Sequence, residues 1–180
     1  MKKMILFAAG YIFLMACNNE KKEDKDAGTK PVTENKSAQC EITDARYMDI
    51  GKSFLNSLAS GDMAAWSAAY TDSAKYYWNN GDSLVGKPAI VDYWTKRRHD
   101  VIDSLTFTEQ VFIPVKVNTS QQHEMTGIWL LSWYKVWAKY KTGKSMGQWM
   151  HMLMHFNSAD KMDQVVQYVD RVPINAATQK

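Results

Sequence analysis

Residues 125–157 read MTGIWLLSWYKVWAKYKTGKSMGQWMHMLMHFN, and their reading decides the fold. Two alternating, largely apolar runs flank Thr142-Gly143, the pattern of a β-hairpin closed by a tight turn that ends in glycine. A two-residue turn sets Lys141 opposite Lys144, so Tyr134 faces His151 and Val136 faces Trp149. Side chains alternate along a strand. One face therefore carries Ile128, Leu130, Ser132, Tyr134 and Val136 beside Trp149, His151, Leu153 and His155. The other carries Trp129, Leu131, Trp133 and Trp137 beside Met150, Met152 and Met154. Both faces are apolar enough to need a cover. One must close on a core or pocket, and the other on something else.

Downstream, Ser158-Ala159-Asp160-Lys161 turns the chain so that Asn157 faces Met162, and a last strand runs from Met162 to Val172. Combining the two turns gives rows across three strands: Tyr134, His151, Tyr168; Val136, Trp149, Asp170; Ser132, Leu153, Val166; and Leu130, His155, Gln164. Upstream, Leu105 to Val117 reads as a strand. Pro114 within it marks an edge or a bulge, since proline cannot donate to a ladder.

Before that strand the period changes. Over Asp44 to Ser60, Tyr47, Ile50, Phe54 and Leu58 recur at helical spacing, and Gly61 suits a left-handed stop. Asp62 can cap a short second helix, Met63 to Ala69, with Trp66 inward. Ala74 to Trp78 is a short strand, and Asn80-Gly81-Asp82 a turn. Gly86-Lys87-Pro88 opens a third helix, with Pro88 in its first turn. Arg97 and Arg98 near its end could clamp an anion; a solvated helix face with one snorkelling stem is the simpler reading. Helices followed by consecutive strands indicate α+β, with helices on one face of an antiparallel sheet.

The first residues carry a different signal. Lys2 and Lys3 precede an apolar run, Met4 to Ala16, in the layout of a secretory signal. The run is short of the roughly 20 apolar residues that span a bilayer. Leu14-Met15-Ala16-Cys17 resembles the bacterial lipobox, which implies cleavage before Cys17 and lipidation of that residue. Residues 18–43 are charged and nearly free of large apolar groups, the composition of a flexible tether. The division expected is a signal peptide at 1–16, a lipidated tether at 17–43, one domain at 44–173 and a tail at 174–180. Of the two cysteines, Cys17 is then acylated and Cys40 lacks a partner, so no structural disulfide is expected. The processed chain has 20 basic and 19 acidic side chains, a balance that does not point to nucleic acid.

The ordered set FLNSLASGD at 54–62, AYTDSA at 69–74, LVGKPAI at 84–90, HFNSADKM at 155–162 and QYVD at 167–170 resembles the NTF2-like superfamily, in its SnoaL-like and ketosteroid-isomerase-like branch. The resemblance spans the whole domain. It implies a cone: a curved antiparallel sheet wrapped around three N-terminal helices, with a pocket at the open end. Members include isomerases, dehydratases, cyclases, ligand binders and assembly modules, so the fold alone does not fix the function. SnoaL-type members often carry His-Trp-Asp in the last strand where this chain has Val165-Val166-Gln167. Trp149 falls near one of the acid positions of ketosteroid isomerases.

With the His151 row on the concave side, the expected ligand-facing set is Tyr134, Trp149, His151, Leu153, His155, Tyr168 and Asp170, joined by Trp78 and Trp94. His151 with Asp170 on its diagonal could act as general base and orienter. The same residues also read as a hydrogen-bonded buried cluster, or as a binding site without chemistry. Two same-face histidines four apart on a strand lie about 13 Å apart, too far to share an ion. Neither a metal nor a cofactor is expected. Trp129, Trp133 and Trp137, with the methionines, then form a convex patch suited to a second copy of the chain. The function expected is a membrane-anchored domain at the cell envelope, periplasmic or on the cell surface, that binds a small, mostly apolar ligand. The alternatives are an isomerase, dehydratase or cyclase using His151 and Asp170, or an envelope assembly module.

Overall fold

The computed structural model describes residues 38–120, 122 and 124–179; the signal segment, Cys17, most of the tether and His123 lie outside the described residues. The element order is β1 (Cys40–Ile42), α1 (Arg46–Ser60), α2 (Met63–Ala68), β2 (Tyr70–Trp78), β3 (Ser83–Val85), α3 (Lys87–Lys96), a π-helical turn (Arg97–Val101), β4 (Ile102–Val117), β5 (Gly127–Tyr140), β6 (Ser145–Phe156), β7 (Met162–Tyr168) and α4 (Arg171–Thr178). The fold is α+β. Its strands form one curved, open sheet in the order β1-β4-β5-β6-β7-β2-β3. All neighbours run antiparallel except β2 and β7, which are parallel.

α1 ends where the sequence places its stop. Gly61 is left-handed, with φ 81°, a conformation that costs glycine little. Tyr47, Gly51, Phe54, Leu55 and Leu58 make its buried stripe. Gly51 permits the close approach to the sheet: a Cβ there would lie 2.5 Å from Leu130 and 2.8 Å from Phe112. Asp62 caps α2 by accepting from the Ala65 amide at 2.9 Å. Pro88 sits in the first turn of α3.

β4 solves a parity problem. Phe107 and Phe112 are five apart, yet both turn to the inner face. An inserted residue between Thr108 and Val111 makes this possible, and Glu109 adopts φ 52° there. The irregularities of β4 are therefore at Glu109 and, near its start, between Ile102 and Ser104, not at Pro114, which pairs in register with Leu130.

The β5–β6 hairpin departs from the sequence expectation by one residue. Tyr140 and Lys144 close the loop, with the Tyr140 amide donating to the Lys144 carbonyl at 2.8 Å. Three residues, Lys141 to Gly143, lie between them, and Gly143 takes φ 87°. This is the three-residue loop with a left-handed glycine. Tyr134 consequently faces Met150, and Trp133 faces His151. A one-residue shift exchanges the faces of a whole strand. Met150, Met152 and Met154 therefore join Leu130, Ser132, Tyr134 and Val136 in the buried inner face. Trp149, His151, Leu153 and His155 join Trp129, Trp133 and Trp137 on the outer face. Beside the turn Phe156, not the expected Asn157, faces Met162, and past an irregularity at His155 the β6–β7 register is as expected, with His151 facing Tyr168 and Leu153 facing Val166.

Both ends of the domain add elements. Cys40–Ile42, expected in the tether, pairs with Val115–Val117 as an edge strand. The last strand stops at Tyr168, and the expected Val172 end and 174–180 tail give way to α4. Asp170 caps it, accepting from the Val172 amide at 2.8 Å. An Asp three residues before a proline is a helix start. The hairpin loop holds the other end of α4: Thr142 Oγ1 donates to the Ala177 carbonyl at 2.6 Å, and Lys144 Nζ to the Gln179 carbonyl at 3.0 Å.

Candidate functional site

The inner faces of β4 to β7 and β2 converge on a cavity of about 140 Å³, bounded by α1, α3 and α4. Its aromatic wall comes from Trp78 on β2, Tyr93 and Trp94 on α3, Phe107 on β4, and Tyr134 and Tyr140 on β5. Leu55, Leu58, Met146, Met150 and Met152 fill the apolar gaps between them. The rings pack on one another: Tyr76 lies 4.7 Å from Trp78, Trp78 lies 5.3 Å from Tyr93, and Phe107 meets Tyr134 edge-on at 5.2 Å.

Gln167 is the polar centre of this wall and is buried. Its Oε1 accepts from the Tyr76 hydroxyl at 2.6 Å and from Trp78 Nε1 at 3.2 Å. An indole nitrogen can only donate, which fixes the orientation of the amide. Gln167 Nε2 is then left with Met150 Sδ at 3.4 Å, a weak acceptor. The Tyr134 hydroxyl also interacts with Gln167. Burial pushes the Tyr134, Tyr76 and Tyr70 phenols well above their usual range, so all three stay neutral and protonated around neutral pH.

Two arginines reach the cavity, Arg97 from the π-helical turn and Arg171 from α4. Arg171 Nη1 pairs with Asp82 at 2.7 Å, and its guanidinium lies 5.5 Å from the Trp78 ring centre. Arg97 lies 5.8 Å from the Tyr93 ring centre, and its charge acts on both Tyr76 and Tyr140. Arg98, the next residue, does something else. It donates to the carbonyls of Leu58, Ala59 and Ile102, and so satisfies the end of α1 with a cation. Among the described residues that line the cavity there is no carboxylate and no imidazole.

Of the residues expected to face the ligand, Trp78, Trp94 and Tyr134 line this cavity. The register turns the others outward. Trp149, His151, Tyr168 and Asp170 meet in a shallow outer groove with Trp133, Asn79 and Arg171. His151 stacks on Trp133 at 4.5 Å and lies 5.6 Å from Tyr168. Its Nδ1 donates to the Ser132 carbonyl at 2.9 Å, while the Asp170 carboxylate is engaged as the α4 cap. They do not form a base–orienter pair. Leu153 sits on the outer face between Leu131 and Val166. His155 is buried under the segment that precedes β5, with Nδ1 at 2.5 Å from Asp163 and Nε2 at 3.0 Å from the Thr126 carbonyl. Trp129 is buried there too, donating to the Met125 carbonyl at 2.7 Å. Sequence reasoning missed Gln167, Arg97 and the methionines as cavity residues. Gln167 could have been found from its phase, since it shares a face with Val165.

No family model matches the chain, and no curated protein matches it in sequence. Solved structures do match. A protein from Xanthomonas campestris pv. campestris described as a polyketide cyclase aligns over 74% of this chain and 97% of its own, with TM-score 0.59 and 13% identity. A protein from Bacillus subtilis described as an isomerase aligns over 72% and 90%, with TM-score 0.57 and 14% identity. A protein from Shewanella denitrificans described as a SnoaL-like polyketide cyclase aligns over 74% and 97%, with TM-score 0.52 and 12% identity. This chain has the NTF2-like fold. At these identities the likeness speaks for the NTF2-like architecture, and the activities named remain those of the neighbours.

Proposed function

We propose that this NTF2-like domain is a binding module that holds a small, largely apolar molecule in its cone, tethered to a membrane by lipid on Cys17. The observation that carries the binding reading is an aromatic cavity whose lining includes no carboxylate and no imidazole. Its phenols are held neutral by burial, and its amide is committed to Tyr76 and Trp78. Such walls bind and orient; they offer no general base for proton abstraction. NTF2-like neighbours take small ligands, one being a ketosteroid-isomerase-like protein from Catenulispora acidiphila in complex with trimethylamine. Titration with indole or benzamide, followed by nuclear magnetic resonance of the cavity methionines, tests the reading. Ala138→Phe, which puts a ring into the cavity wall, should abolish the shifts; shifts that persist in that variant would place binding elsewhere.

The tether follows from the lipobox resemblance. Metabolic labelling with palmitate should mark the wild-type chain and not Cys17→Ser, and label on both would rule the anchor out.

A second copy of the chain is the partner proposed for the outer face. Trp129 no longer belongs to the surface, but Trp137 and Trp149 are 50% and 52% exposed and flank Trp133, His151 and Tyr168. Sedimentation equilibrium should report a dimer for the wild type and a monomer for Trp133→Lys with Trp149→Lys. A monomeric wild type would end this assignment.

A further inference from the structure

The charges that line the cone are cationic, Arg97 and Arg171, with no carboxylate beside them among the described lining residues. Gln167 Oε1 is doubly occupied, and its Nε2 is shared between the Met150 thioether and the Tyr134 hydroxyl. Trp94, on the same wall, has an indole Nε1 without an acceptor among the described residues. Arg171 is neutralised by Asp82. Arg97 is not: among the described residues its guanidinium makes no ion pair and no hydrogen bond, although the side chain is half-buried. The acids nearest it in sequence, Asp92 and Asp100, share an outer groove with Arg97 but bond elsewhere, Asp92 to Lys96 at 2.8 Å and Asp100 to His99 Nδ1 at 2.6 Å. A cation with five donors, lodged beside an apolar cavity and held in no ion pair, is best satisfied by a planar anion.

Size limits the rest of the molecule. A cavity of about 140 Å³ is close to the roughly 150 Å³ that admits a benzene ring. We propose that the ligand is a small monocarboxylate, its apolar body about one aromatic ring in size seated among Trp78, Phe107, Tyr134 and Met152, and its carboxylate paired with Arg97. This rests on the cone being the ligand site, and it adds the charge and size class. Arginine and carboxylate meet through two parallel N–H···O bonds, stronger than neutral hydrogen bonds. The apolar walls weaken competition from water.

The test uses matched pairs: benzoate against benzamide, and hexanoate against hexanamide, by calorimetry at neutral pH on the wild type, Arg97→Gln and Ala138→Phe. The expected result is that each acid binds the wild type at least about tenfold tighter than its amide, and that Arg97→Gln removes this preference while amide binding stays unchanged. Amide binding also certifies that the Arg97→Gln cone is intact. If acids and amides bind alike, or if the preference survives Arg97→Gln, the carboxylate assignment is overturned and the cone remains a neutral binding site. If no probe binds the wild type, or Ala138→Phe leaves binding unaltered, the cone reading fails and the carboxylate proposal falls with it.

Discussion

Replacing Gln167 by leucine should destabilise the domain out of proportion to the volume changed. The side chains are similar in size, and leucine adds apolar surface to a buried position. What is lost is the one acceptor shared by the Tyr76 hydroxyl at 2.6 Å and Trp78 Nε1 at 3.2 Å. Tyr76 is 1% exposed and Trp78 8%, so water reaches neither donor readily. A buried donor left without a partner costs about 1–3 kcal/mol. Two such donors, less about 1 kcal/mol from the more apolar side chain, give a net loss of about 1–5 kcal/mol, centred near 3. For a domain of this size that lowers the melting temperature by roughly 10 °C. Urea unfolding followed by tryptophan fluorescence measures it directly. The loss must also shrink in a Tyr76→Phe background, where one orphan no longer exists, by at least about 1 kcal/mol. A loss below about 1 kcal/mol, or one unaffected by Tyr76→Phe, would refute the view that Gln167 is the polar anchor of the cone.

Other outcomes follow from the same packing. Burial raises the Tyr70, Tyr76 and Tyr134 phenols above their ordinary value of 10.0, so the unfolded chain releases those protons at lower pH than the folded one. Stability is therefore intact below pH 10 and falls above it, by roughly 4 kcal/mol per pH unit for three phenols; absorbance at 295 nm should show the three titrating only as the domain unfolds. Gly51→Val should cost about 2 kcal/mol in urea unfolding, because its branched side chain meets Leu130 and Phe112. Arg98→Gln should lower stability by about 1–2 kcal/mol, since it uncovers carbonyls at the end of α1. Ligand binding in the cone should not change in that variant, a contrast with Arg97→Gln that titration will show.

Arg97 and Arg98 illustrate how adjacent, chemically identical residues part ways. The π-helical turn, in which the Ile102 amide returns to the Arg97 carbonyl, sends one guanidinium to the cavity and the other across the end of α1. Nothing local in Lys96-Arg97-Arg98-His99 distinguishes the two. A similar ambiguity governs the hairpin. Both of its faces are apolar, so hydrophobic pattern cannot choose between a two-residue and a three-residue loop. The choice then moves His151 and Trp149 from one side of the sheet to the other.

The amino-acid order by itself determined α1, α2 and α3, because period and punctuation are local: the stripe from Tyr47 to Leu58, the stop at Gly61, the cap at Asp62 and the start at Pro88. The β6–β7 pairing beyond His155 agrees with the sequence reading, although the turn itself sets Phe156, not Asn157, opposite Met162 and an irregularity beside it restores the phase. Tertiary structure alone decided which face of β6 meets the helices, how β4 brings Phe107 and Phe112 to one side, and which arginine enters the cone. These depend on contacts between segments far apart in the chain. Burial of Met150, Met152 and Met154 in the core selects one register from two that the hairpin sequence permits almost equally.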